Sequence, residues 1–213
     1  MNLKPKKQQL FALLPDRLVL TRGARNGSTR YLTFDDGPDP QHTPRLLDLL
    51  AKHGVQATFF LVGEKIERHP EVVERIVADG HRLGNHSYTH WEFRNMTLRK
   101  QLEEIHQTDA LLVTFDHQPR HCVRPPRGYI GLPLLLHCLR HRRSLIHWSY
   151  DSLDYQNPSH DVLVARLRNE PPRAGDIVLM HDDSDRAGDA LRVMLPEWLA
   201  SGYTFAALPM EAA

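Results

Sequence analysis

An α/β domain built on a mainly parallel sheet is what the sequence predicts, and three observations lead there. Seven short apolar runs alternate along the chain with amphipathic stretches. Those stretches begin and end on helix-capping residues. The 213 residues, 41% of them apolar, suffice for one domain with a full core, and no shift in composition divides them. Strands alternating with helices form βαβ units, whose strands run parallel. Periodicity alone leaves open whether such a sheet stays flat-edged or closes into a barrel.

The expected strands are residues 30–34, 56–62, 81–85, 121–125, 144–149, 176–181 and 203–208. After the first strand, Thr43-Pro44 reads as an N-cap with Pro at the first helical position, opening a helix over 45–53 that Gly54 closes. Pro70 opens a second helix, 71–79, closed by Gly80. Thr97 caps a longer one, with Leu98, Leu102, Ile105 and Leu112 on its apolar face. A fourth helix is expected over 132–141, and Ser159 caps another over 161–169. The last, 189–201, is interrupted or restarted at Pro196.

Charge and cysteine content exclude several classes. Twenty-seven Lys and Arg against 26 Asp and Glu leave a net +1, which argues against general nucleic-acid binding. Residues 1–28 hold six Lys/Arg and only Asp16, so a basic leader ahead of a domain over 29–213 is expected, read first as a solvated segment and alternatively as a contact for an anionic membrane surface or an acidic partner. Two cysteines, Cys122 and Cys138, make neither a disulfide scaffold nor a Cys-x-x-Cys zinc pair. No run of 18 apolar residues exists. The apolar stretch 10–14 is too short for a signal-peptide core, so the chain is expected in the cytoplasm, with a membrane-peripheral position through the basic segment as the alternative.

The reactive residues share one rule of position. Asp35 and Asp36 follow the first expected strand, His86 and His90 the third, and Arg124 sits near the end of the fourth. Asp151 and Asp154 follow the fifth, and His181 ends the sixth. In parallel β/α architectures the C-terminal strand ends open on one side, where active sites are built. Each segment alone reads equally well as a turn, a bend or a loop. Two adjacent carboxylates repel, however, unless a cation or a donor holds them. His86 and His90 have the spacing of one side of a helical turn, but Ser87 takes the place of the Glu in a His-Glu-x-x-His protease motif. Two His and one carboxylate, with positions left open, suit a catalytic Zn²⁺ or a similar divalent ion. There is no Gly-x-Ser-x-Gly elbow, phosphate-binding loop or dinucleotide fingerprint.

Taken together and in order, these five segments resemble the polysaccharide deacetylase family that includes the NodB chitooligosaccharide deacetylases, over roughly residues 29–208. The resemblance implies a distorted (β/α) barrel of seven strands and a divalent metal, usually Zn²⁺ with Co²⁺ as a substitute. It also implies hydrolysis of the N-acetyl group of an amino sugar in a glycan. Residue by residue, Asp35 looks like the catalytic base, and Asp36, His86 and His90 like the metal ligands. Arg124 resembles the arginine that holds the base, Asp154 the carboxylate that orients a catalytic His, His181 that general acid, and Leu179 the leucine of the acetyl-methyl pocket. Two positions depart from the family pattern: Arg127 and Tyr155 stand where an aromatic residue and a Trp are frequent, and both are expected to line the sugar groove. The rival readings are an O-acetyl esterase of the same family and a glycan-binding homologue without turnover.

Overall fold

The computed structural model describes residues 19–23 and 28–209. Its centre is β2 (Thr29–Asp35), in a parallel ladder ordered β4 (Arg82–Asn85), β3 (Thr58–Leu61), β2, β7 (Ile177–His181), β6 (Tyr150–Asp151). β8 (Thr204–Phe205) pairs with the start of β2, and β1 (Val19–Leu20) pairs with β5 (Leu145–Ile146), again parallel. Single bridges from Val123 to Asn85 and to Leu145 link the two sheets. The α/β class and the parallel sheet are as expected. Among the described residues the ladders curve around but do not close into a full ring.

Side chains alternate across β2. Leu32 and Phe34 point outward into the large core shared with the helices. Tyr31 joins an inner cluster with Phe60, Ile146 and Ile177. The same inward parity carries Thr33 and Asp35, and the register sets Asp35 beside Phe60 on one side and His181 on the other. Gly84, beside Phe60 in β4, must lack a side chain, because a Cβ there would lie 2.5 Å from the Phe60 ring.

Among the described residues seven helices surround the sheet: α1 (His42–Lys52), α2 (Gly63–Arg68), α3 (Pro70–Ala78), α4 (Leu98–Asp116), α5 (Leu132–Arg140), α6 (His160–Asn169) and α7 (Asp185–Ala200). The Thr97 cap is present, its hydroxyl accepting from the Lys100 amide. Thr43 is not a cap. Asp39 does that work, its Oδ1 accepting from the Gln41 and His42 amides at 2.8 Å each, so α1 starts three residues early. The six-residue α2 has no sequence signature, since it is too short to show a period. Pro196 does not break α7, because it lies on the solvent side while Met194, Leu195 and Trp198 are buried.

Three further expectations are corrected. The strand over 121–125 reduces to the bridge at Val123, since Pro125 and Pro126 have no amide to extend a ladder. The strand over 144–149 shortens to β5, and after a bend beyond Ile146 the separate strand β6 begins at Tyr150. The basic leader does not extend to residue 28: Val19 and Leu20 are buried in β1. Residues 1–18, with Lys4, Lys6 and Lys7, lie outside the described residues. No described helix is long and apolar enough to cross a membrane.

Candidate active site

The C-terminal ends of β2, β4, β6 and β7 meet around a cavity of about 510 Å³, and each of these strands or the loop after it supplies a polar group to it. Asp35, the last residue of β2, is buried. Its Oδ1 accepts a hydrogen bond from Arg124 Nη1 at 2.6 Å, and its Oδ2 lies 3.7 Å from His86 Nε2. Arg124 is fully buried, its guanidinium also donating to the Thr33 hydroxyl at 2.8 Å and lying 4.1 Å over the Phe60 ring. That stacking gives a desolvated cation an electron-rich face as well as a counter-ion. The glycine in β4 is therefore part of the site, since it admits the ring on which the arginine rests.

Asp36 turns away from its neighbour because its backbone is left-handed, with φ 75°. Its Oδ1 lies 3.3 Å from His86 Nε2 and 3.0 Å from His90 Nε2. Burial alone would raise this carboxyl, but the two imidazoles hold it far below the usual carboxylate range. His86 Nδ1 is 2.6 Å from the Arg124 carbonyl. A carbonyl only accepts, so Nδ1 carries a proton, and Nε2, once it has given up its own, is the nitrogen that offers a lone pair. Ligand atoms of Asp36, His86 and His90 all lie within 4.8 Å of one another, and Asp36 Oδ1 is buried with no hydrogen bond of good geometry among the described residues. Two imidazole nitrogens and an orphaned carboxylate oxygen around one point fit a divalent metal.

The two histidines do not share a helical turn. They sit on an irregular loop in which Ser87 and His90 have φ 71° and 61°. Glu104 of α4 holds that loop, its Oε2 accepting from the Tyr88 and Thr89 amides and the Thr89 hydroxyl at 3.0, 2.7 and 2.9 Å. Asn85 Oδ1 receives the Ser87 amide. Spacing thus identified the pair, but through an incorrect geometry.

Across the cavity His181 Nδ1 is 2.9 Å from Asp154 Oδ1, and the His181 amide donates to Oδ2 of the same carboxylate. Burial would lower this imidazole, but Asp154 beside it, with Asp35 and Asp36 beyond, pushes it up to about 9. Ser152 and the Tyr155 amide also donate to Asp154, which is nearly inaccessible. Leu179, two residues before His181 on the same face, forms part of the wall, and Tyr155, half exposed, meets the His181 ring edge-on at 5.6 Å. Asp151 lies aside from the cavity wall, capping the Leu153 amide.

A sequence profile described as polysaccharide deacetylase matches residues 22–135, more than half of the chain. The chain belongs to the polysaccharide deacetylase family. Its relatives include a peptidoglycan-N-acetylglucosamine deacetylase of Bacillus cereus, 34% identical, the alignment covering 88% of this chain and 69% of that protein. A chitooligosaccharide deacetylase of Bradyrhizobium is 32% identical, with 84% and 88% covered. The crystal structure of a peptidoglycan N-acetylglucosamine deacetylase superposes with a TM-score of 0.87 at 31% identity, covering 94% of this chain and 96% of that one. The deacetylase fold and hydrolytic activity expected from the motifs therefore hold.

Within this polysaccharide deacetylase the structure gathers all ten site residues expected from sequence at one mouth. Arg127 has φ 53° and is ion-paired at 2.6 Å to Glu92, so it enters the rim as half of a charge pair. Sequence reasoning missed Trp148, whose ring lines the cavity beside Arg124, and Glu104 and Glu92, which act from other segments. A tryptophan at the end of an expected strand, two residues before Tyr150, was the one available signal.

Proposed function

We propose that this deacetylase removes N-acetyl groups from N-acetylglucosamine units of a glycan, with Zn²⁺ as the metal held by Asp36, His86 and His90. The observation that carries the reading is the placement of two differently equipped proton-transfer groups, Asp35 with Arg124 and His181 with Asp154, on either side of the three-ligand cluster. Bound there, a divalent metal polarises the amide carbonyl and lowers the pKa of water to about 7.

The chain's own residues divide the remaining work. Arg124 occupies Asp35 Oδ1, which leaves Oδ2 facing the cavity to accept the proton that water loses as its oxygen bonds to the acetyl carbon. His181 carries its proton on the nitrogen facing the cavity, since Nδ1 is engaged by Asp154. That proton goes to the sugar nitrogen as the C–N bond breaks, so the products are acetate and a free amino sugar. Leu179 provides an apolar wall where an acetyl methyl group fits. Tyr155 offers an exposed ring for a sugar face. The names of the relatives supply the substrate class: both act on N-acetylated glycans, one on peptidoglycan and one on chitooligosaccharides.

Acetate release should be measured across peptidoglycan fragments, chitooligosaccharides and O-acetylated sugars. Release from the N-acetylated substrates, abolished by chelator and restored by Zn²⁺ or Co²⁺, is expected. Full activity in metal-stripped protein, or release from O-acetylated sugars alone, overturns the proposal.

A further inference from the structure

The helix α5 is built the wrong way round for a helix that merely covers a core. Its buried side is narrow, consisting of Leu134 and Cys138. Its solvent side carries Leu132, Leu136 and Leu139, which are 65%, 55% and 44% exposed. At 3.6 residues per turn these positions fall on one stripe, the i, i+4, i+7 pattern of a contact face. Three leucines together on an outward ridge mark an interaction surface, where scattered single ones would not.

The surroundings of that ridge are cationic. Residues 117–150 contain six Arg and five His and no Asp or Glu. Beside α5 a cleft of about 290 Å³ is lined by His106, Arg120, His137, His141 and Arg143. Arg143 is neutralised by Asp109, with a bond to each carboxylate oxygen. Arg120 donates only to the His141 carbonyl, and Arg120, Arg140 and Arg142 have no carboxylate partner among the described residues. Of these arginines Arg124 and Arg127 serve the active site, whereas Arg120, Arg140 and Arg142 do not belong to it.

We infer that α5 is a docking face for an anionic lipid bilayer, with Leu132, Leu136 and Leu139 entering the interface and Arg120, Arg140 and Arg142 meeting headgroup phosphates. A convex apolar ridge with a cationic rim matches a negatively charged leaflet in both respects, since apolar burial and phosphate attraction add. A protein partner would instead be anchored by aromatic side chains, and the ridge carries none, while the adjoining cleft is lined by His and Arg. The inference goes beyond the glycan reading and does not depend on it. It also differs from membrane contact through the N-terminal lysines, because it places the contact on a folded surface.

The test is co-sedimentation of the full chain with vesicles of phosphatidylcholine alone and of equal parts phosphatidylcholine and phosphatidylglycerol. Wild type should bind only the anionic vesicles. Each arginine is worth about fivefold in partitioning, so R140Q/R142Q should weaken binding about 25-fold. L132S/L136S/L139S should abolish it. Both variants should keep the wild-type melting temperature and acetate release from soluble substrate, and K4Q/K6Q/K7Q should still bind. Wild-type binding by the α5 variants, or no vesicle binding at all, overturns the inference. A wild-type dimer that the leucine substitutions convert to monomer, without vesicle binding, would assign the face to a second copy of the chain instead.

Discussion

Asp35 and Asp36 are chemically identical neighbours, and only their surroundings separate them. Asp35 is tied to a buried guanidinium, whereas Asp36 faces two imidazole nitrogens. Asp36→Ala should therefore lose the metal, measured by elemental analysis, while Asp35→Asn should retain it and lose turnover by about 10²–10⁴. Equal metal loss in both would reverse the assignment. His181 is the second residue whose neighbours decide its role. It donates only as imidazolium, the form present below its raised pKa of about 9, so kcat/KM should fall as pH rises through that region. Asp154→Asn keeps the shape and removes the charge, so the alkaline limb should move to lower pH, with a reduced maximum rate. An unmoved limb would mean that His181 is not the acid. Asp182 behaves differently again. Burial raises it to about 7, Thr43 donates to one oxygen, and the other has no hydrogen-bond partner among the described residues. Gly37 leaves room for it, since a Cβ there would lie 2.3 Å from the carboxylate. The folded state holds this proton more tightly than the unfolded chain, so the carboxylate destabilises the fold progressively as pH rises from about 4 through about 7. Asp182→Asn should raise Tm by at least about 3 °C at pH 8 and by clearly less at pH 5.

At the scale of elements, the metal-site loop depends on a helix distant in sequence. Glu104 makes three hydrogen bonds from α4 to the segment between His86 and His90, and Ser87 and His90 both hold left-handed backbones. Such conformations cost energy and persist only where neighbours enforce them. Glu104→Ala should weaken metal affinity about 10–100-fold without touching a ligand, as loss of support behind a ligand does. A competition titration with a chromophoric chelator reads this directly, and unchanged affinity would show that the loop holds itself. The helical reading of the His pair failed for this reason. Spacing in sequence is compatible with several backbones, and the one adopted is chosen by Glu104 and Asn85.

For the whole molecule, β1 is the element that composition conceals. Val19 and Leu20 stand in a basic stretch, yet they are buried against β5 and join the Val123 bridge to the main sheet. Burying two such side chains contributes roughly 3–6 kcal/mol. Removing residues 1–23 should accordingly lower Tm by roughly 10 °C or more in a domain of this size, read by calorimetry. An unchanged Tm would place β1 outside the cooperative unit.

The α/β class was legible in the sequence because alternating apolar runs and capped helices are local properties, and α3, α4 and β2 follow from them nearly to the residue. The reactive residues were legible because parallel strands put their C-terminal ends on one side, so position along the chain predicts position at the mouth. What only the tertiary structure decided is whatever depends on a partner far away in sequence. The glycine of β4 makes space for Phe60, on which Arg124 lies to reach Asp35. Asp154 and His181, 27 residues apart, acquire their charge coupling only when β7 brings them together. The outward leucines of α5 read in sequence as an ordinary apolar helix, because periodicity reveals that a face exists and only packing reveals which way it points.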